Sequence, residues 1–312
     1  MPVIVLNNLP AIKMLADENV AVINSQRAQT QDIRPLEILI LNLMPTKIAT
    51  ENQLIRVLSN TPLQVRVTFL QTETYEAKNI HPEHLESFYK TFEQIKNDCF
   101  DGIIITGAPV ETLDFDEVDY WEELSRILEW SESHVFSSVH ICWGAQAGLY
   151  YRYGFKKFNL DEKISGIYPH TLHKSHHPLF KGFDDVFQVP HSRYTFTNLE
   201  EISKVSNLEI LATSVEAGVY LVATRNLREI YLTGHPEYDT ETLNLEYLRD
   251  LKRGVSTSHP KNYFLNDNPK LTIVNNWRSH SYLFFANWLN YIYQETPYNI
   301  EEIKELHQIC QS

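Results

Sequence analysis

Two short stretches hold residues whose types and spacing could do chemistry. VFSSVHICWGAQAGLYYRYG (135–154) sets Cys142 at the end of an apolar run and the head of a Gly/Ala-rich turn. A thiol where a strand opens into a helix meets unsatisfied backbone N–H groups and the positive end of the helix dipole, and both favour the thiolate. The same amides can bind a developing oxyanion. Gly144, Ala145 and Ala147 keep that turn compact. The second stretch, YLTGHPEYD (231–239), ends an apolar run at Gly234 and then offers His235 and Glu237. A nucleophilic cysteine needs a base within hydrogen-bond reach, and the base is usually oriented by a third group. An imidazole and a carboxylate two residues apart at a strand end supply both. Each stretch alone also has a plainer reading, a packed thiol and a surface turn. HPEH at 81–84 repeats the His-Pro-Glu run at a helix start, where Pro82 and Glu83 suit the first turn. Strand-end placement separates the two occurrences.

The elements that would position these residues are legible as alternating strands and helices. LEILILNLMP (36–45) is a nearly continuous apolar strand, and TKIATENQLIRVLSN (46–60) follows at helical spacing. LQVRVTFLQT (63–72) reads as a strand, HPEHLESFYKTFEQIKNDCF (81–100) as a helix, and DGIIITGAP (101–109) as a strand ending in a glycine-containing turn. DEVDYWEELSRILEWSES (116–133) is amphipathic, VFSSVHI (135–141) is a strand, and the chain from Trp143 is helical. This alternation predicts an α/β fold, a mostly parallel sheet flanked by helices, with ligand-binding residues beyond the carboxyl ends of the strands. Lys47, residues 107–111 and Cys142 stand at such ends.

The second half is less regular. LEILATS (208–214), AGVYLVATRN (217–226) and LREIYLTGHPEYD (227–239) read as strands, the last two as a hairpin about residues 225–226. EYLRDLKRG (246–254) and SHSYLFFANWLNYIYQETP (279–297) read as helices, the latter apolar enough to pack on the core or on a second subunit. The first 34 residues look irregular, with a short helical pattern near 10–18. The expected division is an N-terminal arm (1–34), a single catalytic domain (35–300) and a C-terminal tail (301–312).

Composition narrows the function. A formal net charge of −13 argues against a nucleic-acid partner, which needs a basic face. No apolar run approaches the roughly 18–20 residues that span a bilayer, and the N-terminus lacks a signal-peptide pattern. A cytoplasmic protein is expected. Cys99, Cys142 and Cys310 are neither a disulfide framework nor a zinc pattern. The His-rich run HTLHKSHHP (170–178) reads as a solvated loop, so no metal is expected.

HICWGAQAGL together with TGHPEYD resembles the class I glutamine-amidotransferase-like (flavodoxin-like) fold. With LILNLMPTK, FDGIIITGAPVE, VDYWEEL, PHSRYT and NYFLNDNP added, nearly the whole chain resembles the homoserine O-acyltransferases of methionine biosynthesis. That resemblance implies ping-pong acyl transfer from an acyl-CoA co-substrate to the γ-hydroxyl of L-homoserine, with no permanently bound cofactor. Cys142 would carry the acyl group as a thioester, His235 act as general base, and Glu237 orient His235. The oxyanion would meet the Trp143 backbone N–H, with Lys47 and the Gly107–Ala108 turn as nearby support. Lys163, Ser192, Arg193 and Arg249 would hold the amino acid. From charge statistics alone, Arg249 reads as a surface residue paired with Glu246 or Asp250. A homodimer is expected from the arm and the aromatic-rich helix near 284–293.

Within the family, the resemblance ties the acyl donor to the position occupied here by Glu111. A glutamate fills the pocket and opposes the distal carboxylate of a succinyl group. Like charges ~4 Å apart cost roughly 4 kcal/mol at an effective dielectric near 20, about a thousandfold. Acetyl-CoA is therefore the expected donor, with succinyl-CoA as the alternative. A glutamine amidotransferase would share the elbow, but it usually has glycine where this chain has His140. A non-catalytic scaffold would need the three residues to coincide by chance.

Overall fold

The computed structural model describes residues 3–5, 9–10, 12–14, 22–24, 34–74, 80–255 and 257–305. Twelve strands form a single sheet: β1 (Val3–Val5), β2 (Val22–Asn24), β3 (Leu36–Leu41), β4 (Val65–Leu70), β5 (Tyr89–Lys90), β6 (Phe100–Ile105), β7 (Val135–Ile141), β8 (Lys157–Leu172), β9 (Val186–Thr197), β10 (Leu208–Ser214), β11 (Gly218–Thr224) and β12 (Glu229–Leu232). Their spatial order is β2-β1-β4-β3-β6-β7-β12-β11-β10-β8-β9, with β5 on β4. The first seven in that order pair in parallel, and from β12 onward the pairing is antiparallel. Five longer helices accompany them: α1 (Lys47–Leu58), α2 (Trp121–His134), α3 (Trp143–Tyr153), α4 (Thr242–Lys252) and α5 (Arg278–Glu295).

The parallel half follows from side-chain alternation on strands buried on both faces. In β3, Ile38 and Ile40 join the core under α1 and α5, whereas Leu39 and Leu41 join the core under α2. Every residue of β6 and of β7 is buried. Gly102 is required where α5 crosses: a Cβ there would lie 2.6 Å from the Trp288 ring. Trp288 is fully buried and donates to Ser137 Oγ at 3.0 Å. Truncating a large buried ring of this kind costs about 3–5 kcal/mol. The apolar face of α5 is thus spent on the chain's own core.

Several elements differ from the expectation. Residues 81–100 are not one helix: Pro82–Phe88 is helical, Tyr89–Lys90 is a strand, and Phe92–Ile95 is a short helix restarted by a Thr91–Gln94 capping box. The arm contributes β1 and β2 to the sheet, and the rest of its predicted helical stretch beyond 12–14 lies outside the described residues. The expected His-rich loop is in part strand. His170–Leu172 close β8, and His170 is fully buried, its ring stacked 5.0 Å from that of His191. Burial pushes the His170 pKa down to about 4. Long, polar-looking β8 and β9 escape a periodicity test because much of each runs through a partly solvated ribbon. Cys310 and the end of the C-terminal tail lie outside the described residues.

Among the described residues no helix is long and apolar enough to cross a membrane. No cluster of three or more His, Cys, Asp or Glu there is arranged to hold a metal ion.

Candidate active site

The site sits at the carboxyl ends of β6, β7 and β12, where the sheet changes from parallel to antiparallel. β7 ends at Ile141, and Cys142 turns the chain into α3 with φ 51° and ψ −113°, a conformation that glycine adopts easily and other residues rarely. The turn is held by Cys142 N–H donating to the Leu232 carbonyl (2.6 Å) and by Ala145 and Gln146 N–H donating back to the Cys142 carbonyl (3.0 and 3.2 Å). Gly144 is obligatory, because a Cβ would meet the Thr106 and Ile105 carbonyl oxygens at 2.7 and 2.8 Å. Gly148 has the same role against the His140 ring (2.7 Å to Nδ1). His140, where an amidotransferase elbow has glycine, is buried against Tyr231 with ring centroids 4.8 Å apart, and burial pushes its pKa down to about 4. It is a neutral packing group.

β12 delivers the candidate base. Past Leu232, His235 N–H donates to the Pro190 carbonyl of β9 (2.8 Å), and His235 Nδ1 lies 2.8 Å from Glu237 Oε1. The ring stacks on Tyr238 at 4.0 Å. Cys142 and His235 line the same cavity, and the Cys142 side chain is among the groups that raise the His235 pKa. Burial alone pulls an imidazole pKa down, but the charges of Cys142 and Glu237 outweigh it and hold His235 well above its usual value. The electrostatics therefore favour an imidazolium at His235, beside Cys142. The Gly107 turn flanks both groups: a Cβ there would make ordinary contact, 3.4 Å from Cys142 Cβ and 3.5 Å from His235 Cε1.

Cys142 and His235 open into a cavity of about 260 Å³. Of the residues predicted for the site, Ala108, Glu111, Lys163, Ser192 and Arg249 also line it; Lys47, Trp143, Arg193 and Glu237 do not. Glu237 stands behind His235. Lys47 is buried at the start of α1, its ammonium on the Asn42 carbonyl and its pKa lowered by burial to about 8. The Trp143 side chain is buried; its backbone N–H belongs to the first helical residue of α3, where no intrahelical acceptor exists. The Arg193 guanidinium is occupied by the Thr195 carbonyl (2.7 Å) and the Ala217 carbonyl, on the other side of β9.

Lys163 and Arg249 share one carboxylate: Asp250 lies 2.9 Å from Lys163 Nζ through Oδ2 and 2.8 Å from Arg249 through Oδ1. Burial would raise the Asp250 pKa, but bonds to the two cations lower it. Ser192 Oγ and the Tyr238 hydroxyl donate to Glu246 at 2.6 and 2.8 Å. Tyr194 and Tyr238 are cavity residues the sequence reading passed over, and Glu246 and Asp250 entered it only as surface partners of Arg249. Glu246 was findable, since it lies three positions before Arg249 and so shares its helix face. Tyr194 gave no signal.

Comparison with known proteins places the fold and the family. A glutamine amidotransferase from Thermotoga maritima superposes with a TM-score of 0.52 over 83% of this chain and 98% of its own, at 10% identity, a likeness of fold. A homoserine O-acetyltransferase of Thermotoga petrophila is 58% identical over 304 residues, 97% of this chain and all of that one. One of Petrotoga mobilis is 53% identical over 306 residues, covering 98% and 99%. The family model described as homoserine O-succinyltransferase matches residues 2–298. With elbow, base and cavity in place and the match running nearly end to end, this chain belongs to the homoserine O-succinyltransferase family.

Proposed function

We propose that the protein transfers an acetyl group from acetyl-CoA to the γ-hydroxyl of L-homoserine, giving O-acetyl-L-homoserine and CoA. The observation that carries the donor assignment is Glu111, whose carboxyl group stands in the wall of the cavity that holds Cys142 and His235. The relatives' names point the same way, although the family is named for the succinyl donor.

The Cys142 thiolate attacks the thioester carbonyl, and the oxyanion meets backbone N–H groups at Trp143 and the Gly107–Ala108 turn. Collapse breaks the bond to the CoA sulfur, which takes the proton held by the His235 imidazolium. The acyl group is then on Cys142. His235, now neutral, accepts the proton of the homoserine hydroxyl as its oxygen attacks the Cys142 thioester, and the thiolate leaves. Glu237 holds the ring and its positive charge. The two ends of the amino acid find complementary partners: its carboxylate the Lys163–Arg249 pair, its ammonium the Glu246 carboxylate set by Ser192 and Tyr238.

The test is a comparison of acetyl-CoA and succinyl-CoA, following CoA release with homoserine present. Acetyl-CoA is expected to be preferred by about a thousandfold, and Glu111→Gly is expected to narrow that gap sharply. A succinyl-CoA preference in the unmodified enzyme would overturn the assignment. Release of ammonia from glutamine, with no need for homoserine, would move the protein to the amidotransferases.

A further inference from the structure

Glu111 can oppose a donor carboxylate only if its own carboxylate stays put, and the antiparallel ribbon explains how it does. The ladder between β8 and β9 runs from Thr171↔Val186 up to Ile164↔Arg193, then jumps to Asn159↔Thr195. Residues 160–163 therefore bulge out opposite the single residue Tyr194. A bulge leaves a backbone group without its ladder partner. The Tyr194 N–H donates instead to Glu111 Oε2 at 2.8 Å. The same bulge carries Lys163 into the cavity.

The next residue continues the hold. Thr195 is fully buried, and its Oγ1 lies 3.4 Å from Glu111 Oε2 and 3.0 Å from the atom placed as Gln146 Oε1. A hydroxyl has a single proton to give. If that proton went to Gln146, a lone pair of Thr195 would face the Glu111 carboxylate. With the amide turned so that its NH2 donates to Thr195, the hydroxyl proton points at Glu111 and all three groups are satisfied. Gln146 sits in the first turn of α3, its N–H on the Cys142 carbonyl, so the chain of bonds starts at the nucleophile's own turn. Arg193 braces the strand from behind through the Thr195 and Ala217 carbonyls. Without these donors the Glu111 carboxylate would be left to the charges of Lys163, His235 and Arg193.

We propose that Thr195 and Gln146 are specificity-positioning residues: they fix the Glu111 carboxylate on the bulged strand, in the orientation that excludes a second carboxylate on the acyl donor. This rests on the reading of Glu111 as the donor filter. It also makes donor choice depend on two side chains that line no part of the Cys142 cavity.

Thr195→Val keeps shape and removes the hydroxyl; Thr195→Ser keeps the hydroxyl. Both are compared with Gln146→Leu and with Glu111→Gly, measuring kcat/KM for acetyl-CoA and succinyl-CoA at saturating homoserine. Thr195→Val and Gln146→Leu are expected to shift the donor ratio toward succinyl-CoA by about tenfold, the scale of a hydrogen bond to a charged group. Thr195→Ser is expected to keep the ratio. A general loss of packing would lower both donors alike and would leave the ratio alone, which would count against the proposal. An unchanged ratio in Thr195→Val and Gln146→Leu, with a large change in Glu111→Gly, would overturn the clamp and leave the filter standing. No change in any of the variants, Glu111→Gly included, would overturn the filter itself. If Thr195→Val does not fold, Gln146→Leu decides by the same two outcomes.

Discussion

The elbow between β7 and α3 and the bulged ribbon β8–β9 face each other across one cavity and are built on opposite plans. The elbow belongs to the fully buried parallel half. It is fixed by carbonyl contacts at Gly144, a ring contact at Gly148 and backbone bonds at Cys142, and its reactive residue holds a strained φ of 51°. The ribbon belongs to the antiparallel half, where a break in register, not strain, presents Lys163 and the Tyr194 N–H. Chemistry that must not vary is placed on a rigid turn. The recognition proposed for the donor is placed where one strand loosens from its partner. Substitutions should therefore fall into two groups, those that abolish turnover and those that redirect it.

The largest effect is expected at the elbow. Cys142→Ala and Cys142→Gly should each lower turnover by roughly 10⁴-fold or more, as removal of a covalent nucleophile does. Their stabilities should differ. At φ 51° and ψ −113° a Cβ is unfavourable and glycine is at ease, so Cys142→Gly should be more stable than Cys142→Ala by about 1 kcal/mol. Denaturant unfolding of the two inactive variants measures this directly. Equal stability would mean that the elbow stores no strain, and the contrast with the ribbon would weaken.

Next in size is the orienting carboxylate. Glu237→Gln leaves a hydrogen-bonding partner for His235 Nδ1 but removes the negative charge. Turnover should fall by roughly 10²–10⁴-fold. Burial already pulls the His235 pKa down, and the Cys142 and Glu237 charges hold it up. With one of those charges gone, the imidazolium should lose its proton at lower pH. An NMR titration of the His235 ring reads that shift. An unmoved titration would show that Glu237 acts by shape alone.

What the sequence disclosed divides along the same line as the two regions. The parallel half was legible because its strands are buried on both faces. Runs such as LEILIL and VFSSVHI carry apolar character at nearly every position, and helix spacing follows each. Cys142, His235 and Glu237 were legible because strand ends and glycines mark them. β8 was not, since LDEKISGIY mixes charge with apolar residues where the strand bulges. Its irregularity is the functional feature, and periodicity registers such a break as noise. Arg193 shows the reverse failure: its type suits a carboxylate ligand, but along β9 it points opposite to Ser192 and Tyr194, into carbonyls. A period of two, applied from Ser192, separates the faces once β9 is known to be a strand.

The smallest expected effect asks whether the ribbon filters donors by charge or by bulk. Burial raises the Glu111 pKa, and the Tyr194 N–H with the charges of Lys163, His235 and Arg193 lowers it only in part. A raised pKa means that Glu111 takes up a proton at a higher pH than an ordinary glutamate. Above it the carboxylate is charged and the penalty on a succinyl carboxylate is complete; as pH falls through it the penalty fades, leaving the steric part. The acetyl-to-succinyl ratio of kcat/KM should therefore decline as pH is lowered from 8 toward 5, and taking the ratio cancels any pH dependence common to both donors. Glu111→Gln fixes the side chain in a neutral form of the same size, so its ratio should be lower than that of the parent at pH 8 and nearly flat below. Propionyl-CoA, uncharged but longer than acetyl, supplies the control for bulk: its ratio to acetyl-CoA should not change with pH in either protein. A flat succinyl ratio in the parent, with propionyl-CoA rejected as strongly, would assign the filter to volume. The bulge would then matter for where the Glu111 side chain sits and not for the charge it carries.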